Sequence, residues 1–85
     1  MNWQLLSFIK RSEQRQIILK SLSHPKTPTD IKKETKLAPS HISRTLKEFM
    51  NKDIAKCLTP KQKIGRIYKL NQKGEKLLKH LNKIS

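Results

Sequence analysis

Thr27-Pro28-Thr29-Asp30-Ile31 and, shortly after it, Leu37-Ala38-Pro39-Ser40-His41-Ile42-Ser43-Arg44-Thr45-Leu46-Lys47-Glu48-Phe49 set two helix starts almost back to back. In the first, Thr27 is a capping type and Pro28 fits the first helical position, where its missing N–H is not needed. Asp30 sits where a side chain can reach back to the cap. This helix is short, with Ile31 as its buried residue, and the chain turns through Thr35-Lys36-Leu37-Ala38 before Pro39 opens the second. From Pro39 to about Lys52, Ile42, Leu46 and Phe49 recur at i, i+4 and i+7 with Met50 beside them, which is the stripe of a helix that faces a core. The opposite face carries Ser40, His41, Ser43, Arg44, Lys47 and Asn51, all hydrogen-bonding types and mostly neutral or positive.

Upstream, Ser12 can cap a helix whose Ile18, Leu19 and Leu22 form one face, with Ile17 at its margin, and Pro25 stops it. Before that, Trp3, Leu6 and Ile9 fall at helical spacing with Leu5 and Phe8 beside them, predicting a short apolar N-terminal helix. Downstream, Asp53 breaks the helical pattern. Ile54 to Leu58 and Ile64 to Leu70 read as two strands around the basic turn Thr59-Pro60-Lys61-Gln62-Lys63, a hairpin with a cationic tip. Asn71 can cap a last helix with Leu77, Leu78, Leu81 and Ile84 on its apolar stripe and Lys73, Lys76, Lys79 and Lys83 on the other side. The expected architecture is mostly α with a small β-hairpin wing. It is a winged helix-turn-helix over residues 12–70 with extra N- and C-terminal helices (1–11 and 71–85), all in one domain.

The 85 residues suit one core, and a hydrophobic fraction of 34% makes that core modest. Lys and Arg outnumber Asp and Glu by 20 to 6, for a formal charge of +14 and a pI near 10.4. Such a balance calls for a polyanionic partner. Nucleic acid is preferred to a membrane surface, since no apolar run approaches a transmembrane length and no helix in isolation pairs a wide apolar face with a basic one. Cys57 is the one cysteine, so no internal disulfide is possible, and the first residues lack a secretory layout. A cytoplasmic protein is expected. His24, His41, His80 and Cys57 show no ligand spacing, so neither a metal nor a cofactor is expected, and a strand cysteine at position 57 reads as a small buried hydrophobe. Six scattered carboxylates, two glycines and no Ser-His-acid spacing give no catalytic set, and the chain is not expected to be an enzyme.

A short helix followed tightly by a polar second helix suits the major groove of double-stranded DNA, which admits one helix whose N-terminal residues reach base edges. Ser40, His41, Ser43 and Arg44 hold that position. Arg44 is the strongest candidate for base readout, because its guanidinium can donate two parallel hydrogen bonds to guanine. Lys61, Lys63 and Arg66 on the wing, with Lys47, Thr27 and Thr29, are candidates for phosphate or minor-groove contact.

The two helix starts quoted above, together with Ile67-Tyr68-Lys69-Leu70-Asn71-Gln72-Lys73-Gly74-Glu75, resemble the core and the wing-to-last-helix junction of MarR-like and ArsR-like winged helix-turn-helix transcription regulators. The resemblance spans roughly residues 12 to 78. It implies a DNA-binding regulator, often a homodimer on a palindromic site, with the helix from Pro39 as recognition helix. Two positions depart from the pattern. Ala38 stands where a capping Ser or Thr is usual, weakening that helix start by roughly 1 kcal/mol. Asp53 stands where a glycine is frequent, and it can also turn left-handed, at more cost. The terminal helices carry more apolar surface than a minimal winged helix needs, so Trp3, Leu6, Ile9, Leu77, Leu81 and Ile84 are expected at a homodimer interface. Neither a separate sensing domain within these 85 residues nor a small-molecule ligand is expected. Two other functions stay open on sequence alone: non-specific architectural DNA binding, and a winged-helix module for an acidic protein partner.

Overall fold

A computed structural model describes residues 3–84, for Ile84 the backbone only. Its elements run α1 (Trp3–Lys10), α2 (Glu13–Ser21), α3 (Pro28–Thr35), α4 (Pro39–Asn51), β1 (Ala55–Cys57), β2 (Tyr68–Leu70) and α5 (Gln72–Ile84). The starts of α2, α3 and α5 follow from local chemistry. The Ser12 hydroxyl accepts the Arg15 N–H at 3.3 Å. Thr27 and Asp30 close a reciprocal box, the Thr27 hydroxyl accepting the Asp30 N–H at 3.1 Å and the Asp30 carboxylate accepting the Thr27 N–H at 3.3 Å. The Asn71 side-chain oxygen accepts the Gly74 N–H at 3.2 Å. At α4 the cap residue Ala38 offers no side-chain bond and Pro39 opens the helix.

Between α3 and α4 the chain turns on Lys36, which is left-handed with φ 65°, a feature the sequence pattern does not announce because the residue is neither Gly nor Asn. Thr35 braces this turn: its hydroxyl donates to the Ile31 carbonyl at 2.7 Å and accepts the Leu37 N–H at 3.3 Å. Asp53 is left-handed as well, with φ 59°. Its carboxylate accepts from the Asn71 amide at 2.9 Å and lies 3.7 Å from the Lys73 ammonium, contacts a glycine there would lack.

One core joins all five helices and the strands. Ile9, Ile18, Leu19, Ile31, Ile42, Leu46, Phe49, Ile54, Leu70, Leu77 and Leu81 are its inner members. The interface expected from the terminal helices is corrected by this packing. Leu6, Ile9, Leu77 and Leu81 are buried at 6%, 0%, 3% and 2% exposure, because α1 and α5 pack on each other and on α2 and spend that apolar surface within the chain. Trp3 alone of the expected set is exposed, edge-on to the His80 ring with centroids 5.9 Å apart, and the Ile84 side chain lies outside the described residues.

The wing also differs from expectation. The strands are three residues each, paired antiparallel with Ala55 opposite Leu70 and Cys57 opposite Tyr68. Leu58 and Ile67 hold one further bond, the Leu58 N–H donating to the Ile67 carbonyl at 2.7 Å. Beyond that point the backbone leaves the core, Pro60 cannot donate to a ladder, and Ile64, expected on the second strand, stands 91% exposed beside left-handed Gly65. Cys57, expected to be buried, is half-exposed. The hairpin gains a third partner instead: Lys26, between α2 and α3, exchanges both backbone bonds with Tyr68 at 2.8 and 3.0 Å.

The Lys26 side chain reinforces this junction, donating to the Ser21 carbonyl and pairing with the Glu34 carboxylate, which also accepts from the Ser21 hydroxyl. The hydrogen bond from the Lys26 ammonium holds Glu34 below its ordinary value of 4.5, against a smaller opposing effect of desolvation. A lowered carboxylate contributes stability above its unfolded value that is lost as pH falls through the folded one. Carboxyl-detected NMR titration is therefore expected to place Glu34 below 4.5 in the wild type and to move it back up in Lys26→Met.

On the other side of the hairpin, Gly74 lets α5 press against the strand that follows α4. A Cβ at Gly74 would lie 2.2 Å from the Ile54 carbonyl oxygen and 3.0 Å from the Leu70 side chain, and the same carbonyl accepts the Asn71 N–H at 3.0 Å. Backbone cannot yield there without breaking that bond. Gly74→Ala is expected to cost about 2 kcal/mol, read as a fall in Tm of roughly 8–16 °C by thermal circular dichroism.

Candidate nucleic-acid interface

Helix α4 is amphipathic, and its inward stripe of Ile42, Thr45, Leu46 and Phe49 is buried. That fixes which side chains face outward. Ser40, Ser43, Arg44 and Lys47 are exposed, and among the described residues none of these side chains is hydrogen-bonded or ion-paired within the chain. His41 behaves differently. It is half-buried, and its Nδ1 lies 2.9 Å from the Gln14 amide nitrogen on α2.

A polar cleft of 280 Å³ runs between α2 and α4, lined by Arg11, Ser12, Gln14, Arg15, His41, Arg44, Thr45 and Glu48. Glu48 is the sole carboxylate of α4, and Arg15 neutralises it. The guanidinium donates to Glu48 Oε2 at 3.0 Å and to Oε1 at 3.3 Å, and also to the Phe8 carbonyl at 2.9 Å. It lies 3.9 Å above the Phe8 ring. The charges left uncompensated in the lining of this cleft, on Arg11 and Arg44, are positive.

At the start of α3, Thr29 is exposed, whereas Thr27 is half-buried with its oxygen committed to the capping box. The Asp30 carboxylate occupies the same helix start and the Thr27, Asp30 and Ile31 N–H groups are already bonded, so an incoming phosphate there meets a negative charge and the N–H of Thr29 alone. On the wing, Lys61, Lys63 and Arg66 are exposed on the irregular segment 59–66 rather than on strands. Arg66 is partly engaged, its Nε donating to the Gln62 carbonyl at 2.5 Å, which closes the loop. The α5 lysines Lys73, Lys76, Lys79 and Lys83 line a separate groove of 340 Å³ with Leu5, Leu77 and His80.

Sequence reasoning missed Arg11 and Gln14. Gln14 lies 27 positions from His41, and Arg11 is further still from Arg44. These pairs share the cleft only after α2 crosses α4, and no local pattern marks them. Among the described residues no group of three His, Cys, Asp or Glu is placed to hold a metal ion, and no helix is long and apolar enough to cross a membrane.

No protein family matches the chain by sequence, and no curated protein matches it either. Solved structures do match it in shape. MarR from E. coli, in its reduced form, superposes with a TM-score of 0.79 at 21% identity, over 95% of this chain and 62% of that one. ZitR from Lactococcus lactis gives 0.74 at 18% identity, over 85% of this chain and 51% of that one. TubR from Bacillus thuringiensis serovar israelensis pBtoxis, solved bound to 24 bp of tubC, gives 0.78 at 11% identity, over 96% of this chain and 92% of that one. The chain thus spans between half and two-thirds of the length of ZitR and MarR, and nearly all of TubR. Among the described residues, five helices with a short antiparallel hairpin between the fourth and the fifth make this the winged helix-turn-helix fold of MarR-like proteins.

Proposed function

We propose that the chain binds double-stranded DNA and regulates transcription, with α4 in the major groove and the 59–66 segment on the minor groove or its flanking phosphates. The observation that carries this is the outer face of α4. Ser40, Ser43, Arg44 and Lys47 are exposed and have no side-chain bond among the described residues, and the first three stand in the opening turns of a helix that a major groove can admit. A formal charge of +14 supports the same partner, as does the likeness in shape to TubR, a protein solved on 24 bp of tubC.

In this function Arg44 reads a guanine edge through paired donors, with Ser40, His41 and Ser43 beside it. Lys47, Lys61, Lys63, Arg66 and Thr29 hold phosphates and set register. Thr27 shapes the α3 start that Thr29 extends. A second copy of the chain completes a palindromic site, its recognition helix about 34 to 36 Å from the first. With Leu6, Ile9, Leu77 and Leu81 spent in the core, the contact between copies falls to exposed groups such as Trp3.

Binding of a duplex selected from random sequence and of a scrambled duplex, titrated with salt, tests this directly. The wild type is expected to prefer the selected duplex by about a thousandfold. Arg44→Ala is expected to lower that ratio by roughly ten- to a hundredfold while the salt slope stays close to wild type. Equal affinity for both duplexes with a steep salt slope would establish an architectural role instead. Failure to bind either at moderate salt would transfer the function to an acidic protein partner.

A further inference from the structure

We propose that Gln14, on α2, is a positioning residue for recognition: it fixes the ring tautomer of His41 so that His41 offers a base edge an N–H donor and not an acceptor. This rests on the DNA-binding function set out above. Gln14 Nε2 lies 2.9 Å from His41 Nδ1, a contact between elements 27 residues apart in sequence. An amide nitrogen has only protons to offer, so the ring nitrogen facing it accepts. A neutral imidazole carries a single ring proton, which is thereby assigned to Nε2, at the opposite edge of the ring.

The surroundings favour this orientation of the amide over its flipped form. Arg11, Arg15 and Arg44 line the cleft, and its one carboxylate, Glu48, is already paired with Arg15. The amide oxygen is the end of Gln14 drawn toward these cations, which leaves the NH₂ for the ring. Nε2 of His41 has no partner among the described residues, and no buried side-chain nitrogen there lacks one, so Nε2 is open to solvent. His41 stands in the first turn of α4, the part of a recognition helix that reaches base edges. A donor at that point suits guanine O6 or N7, adenine N7 and thymine O4. It is mismatched with the amino groups of cytosine and adenine.

The test joins long-range ¹H–¹⁵N correlation spectra of the histidine rings at pH 8, where an ordinary imidazole is neutral, to base-by-base affinities on the wild-type-selected duplex. Wild type, Gln14→Met and Gln14→Glu are compared, with the three histidines told apart by a His41→Ala control. Wild-type His41 is expected as the single Nε2–H form. Gln14→Met is expected to give a tautomer mixture and to weaken preference about five- to tenfold at one base pair only. Gln14→Glu, whose carboxylate accepts from Nδ1–H, is expected to invert the tautomer and move the preference toward a base presenting an amino group. An unchanged tautomer in Gln14→Met would overturn the coupling, and a changed tautomer with an unchanged base profile would overturn its part in recognition. Absence of any duplex binding by the wild type would instead refute DNA binding itself, and this proposal with it.

Discussion

One guanidinium ties α4 to two other helices. Arg15 is planar with five donors in a fixed fork, and it uses three of them at once: two on the Glu48 carboxylate and one on the Phe8 carbonyl, with its face laid over the Phe8 ring. Those contacts join α1, α2 and α4 at a single point. Phe8 in turn meets Phe49 of the α4 stripe edge-on, with centroids 6.5 Å apart, so polar and apolar contacts agree about how α4 is rotated on its axis. A shorter or non-planar cation in place of Arg15 satisfies one of these partners and abandons the others. Because Glu48 is the only acid on α4, the same interaction removes the one charge that would repel a polyanion from that helix.

The wing is fastened by a different device. Lys26 acts as a third strand on Tyr68 through its backbone and as a clasp on Ser21 and Glu34 through its ammonium, so the loop between α2 and α3 is also the root of the hairpin. Opposite it, the missing side chain of Gly74 lets α5 close on the Ile54 carbonyl. Between them these contacts seat two very short strands that would not hold as an isolated hairpin.

Much of this was legible in the chain itself. Capping residues Ser12, Thr27 and Asn71, the two prolines at helix starts, and the Ile42, Leu46, Phe49 stripe each act within a few residues of their partners, and local chemistry decides them. The exposed candidates of α4 were equally accessible, since a helix with one buried stripe leaves its other face determined. What escaped was set by distance along the chain or by context. Ile64 is β-branched and suits a strand, yet no core lies beneath it. Leu77 and Leu81 make a stripe that serves a core or a partner equally well, and only the crossing of α1, α2 and α5 decides for the core. The left-handed turn at Lys36, the role of Gly74 and the approach of Gln14 to His41 belong to this second kind.

The outer face of α4 has a consequence for how such a protein diverges. Ser40, Ser43, Arg44 and Lys47 are exposed, and among the described residues their side chains bond to nothing else. Substitutions at these four positions therefore escape the stability threshold that filters most mutations in a small domain. A duplicated copy is free to drift there toward a new partner while α4 stays clamped by Arg15 and the wing by Lys26. The exception is His41, whose tie to α2 means that this one position of the face changes only in step with another helix.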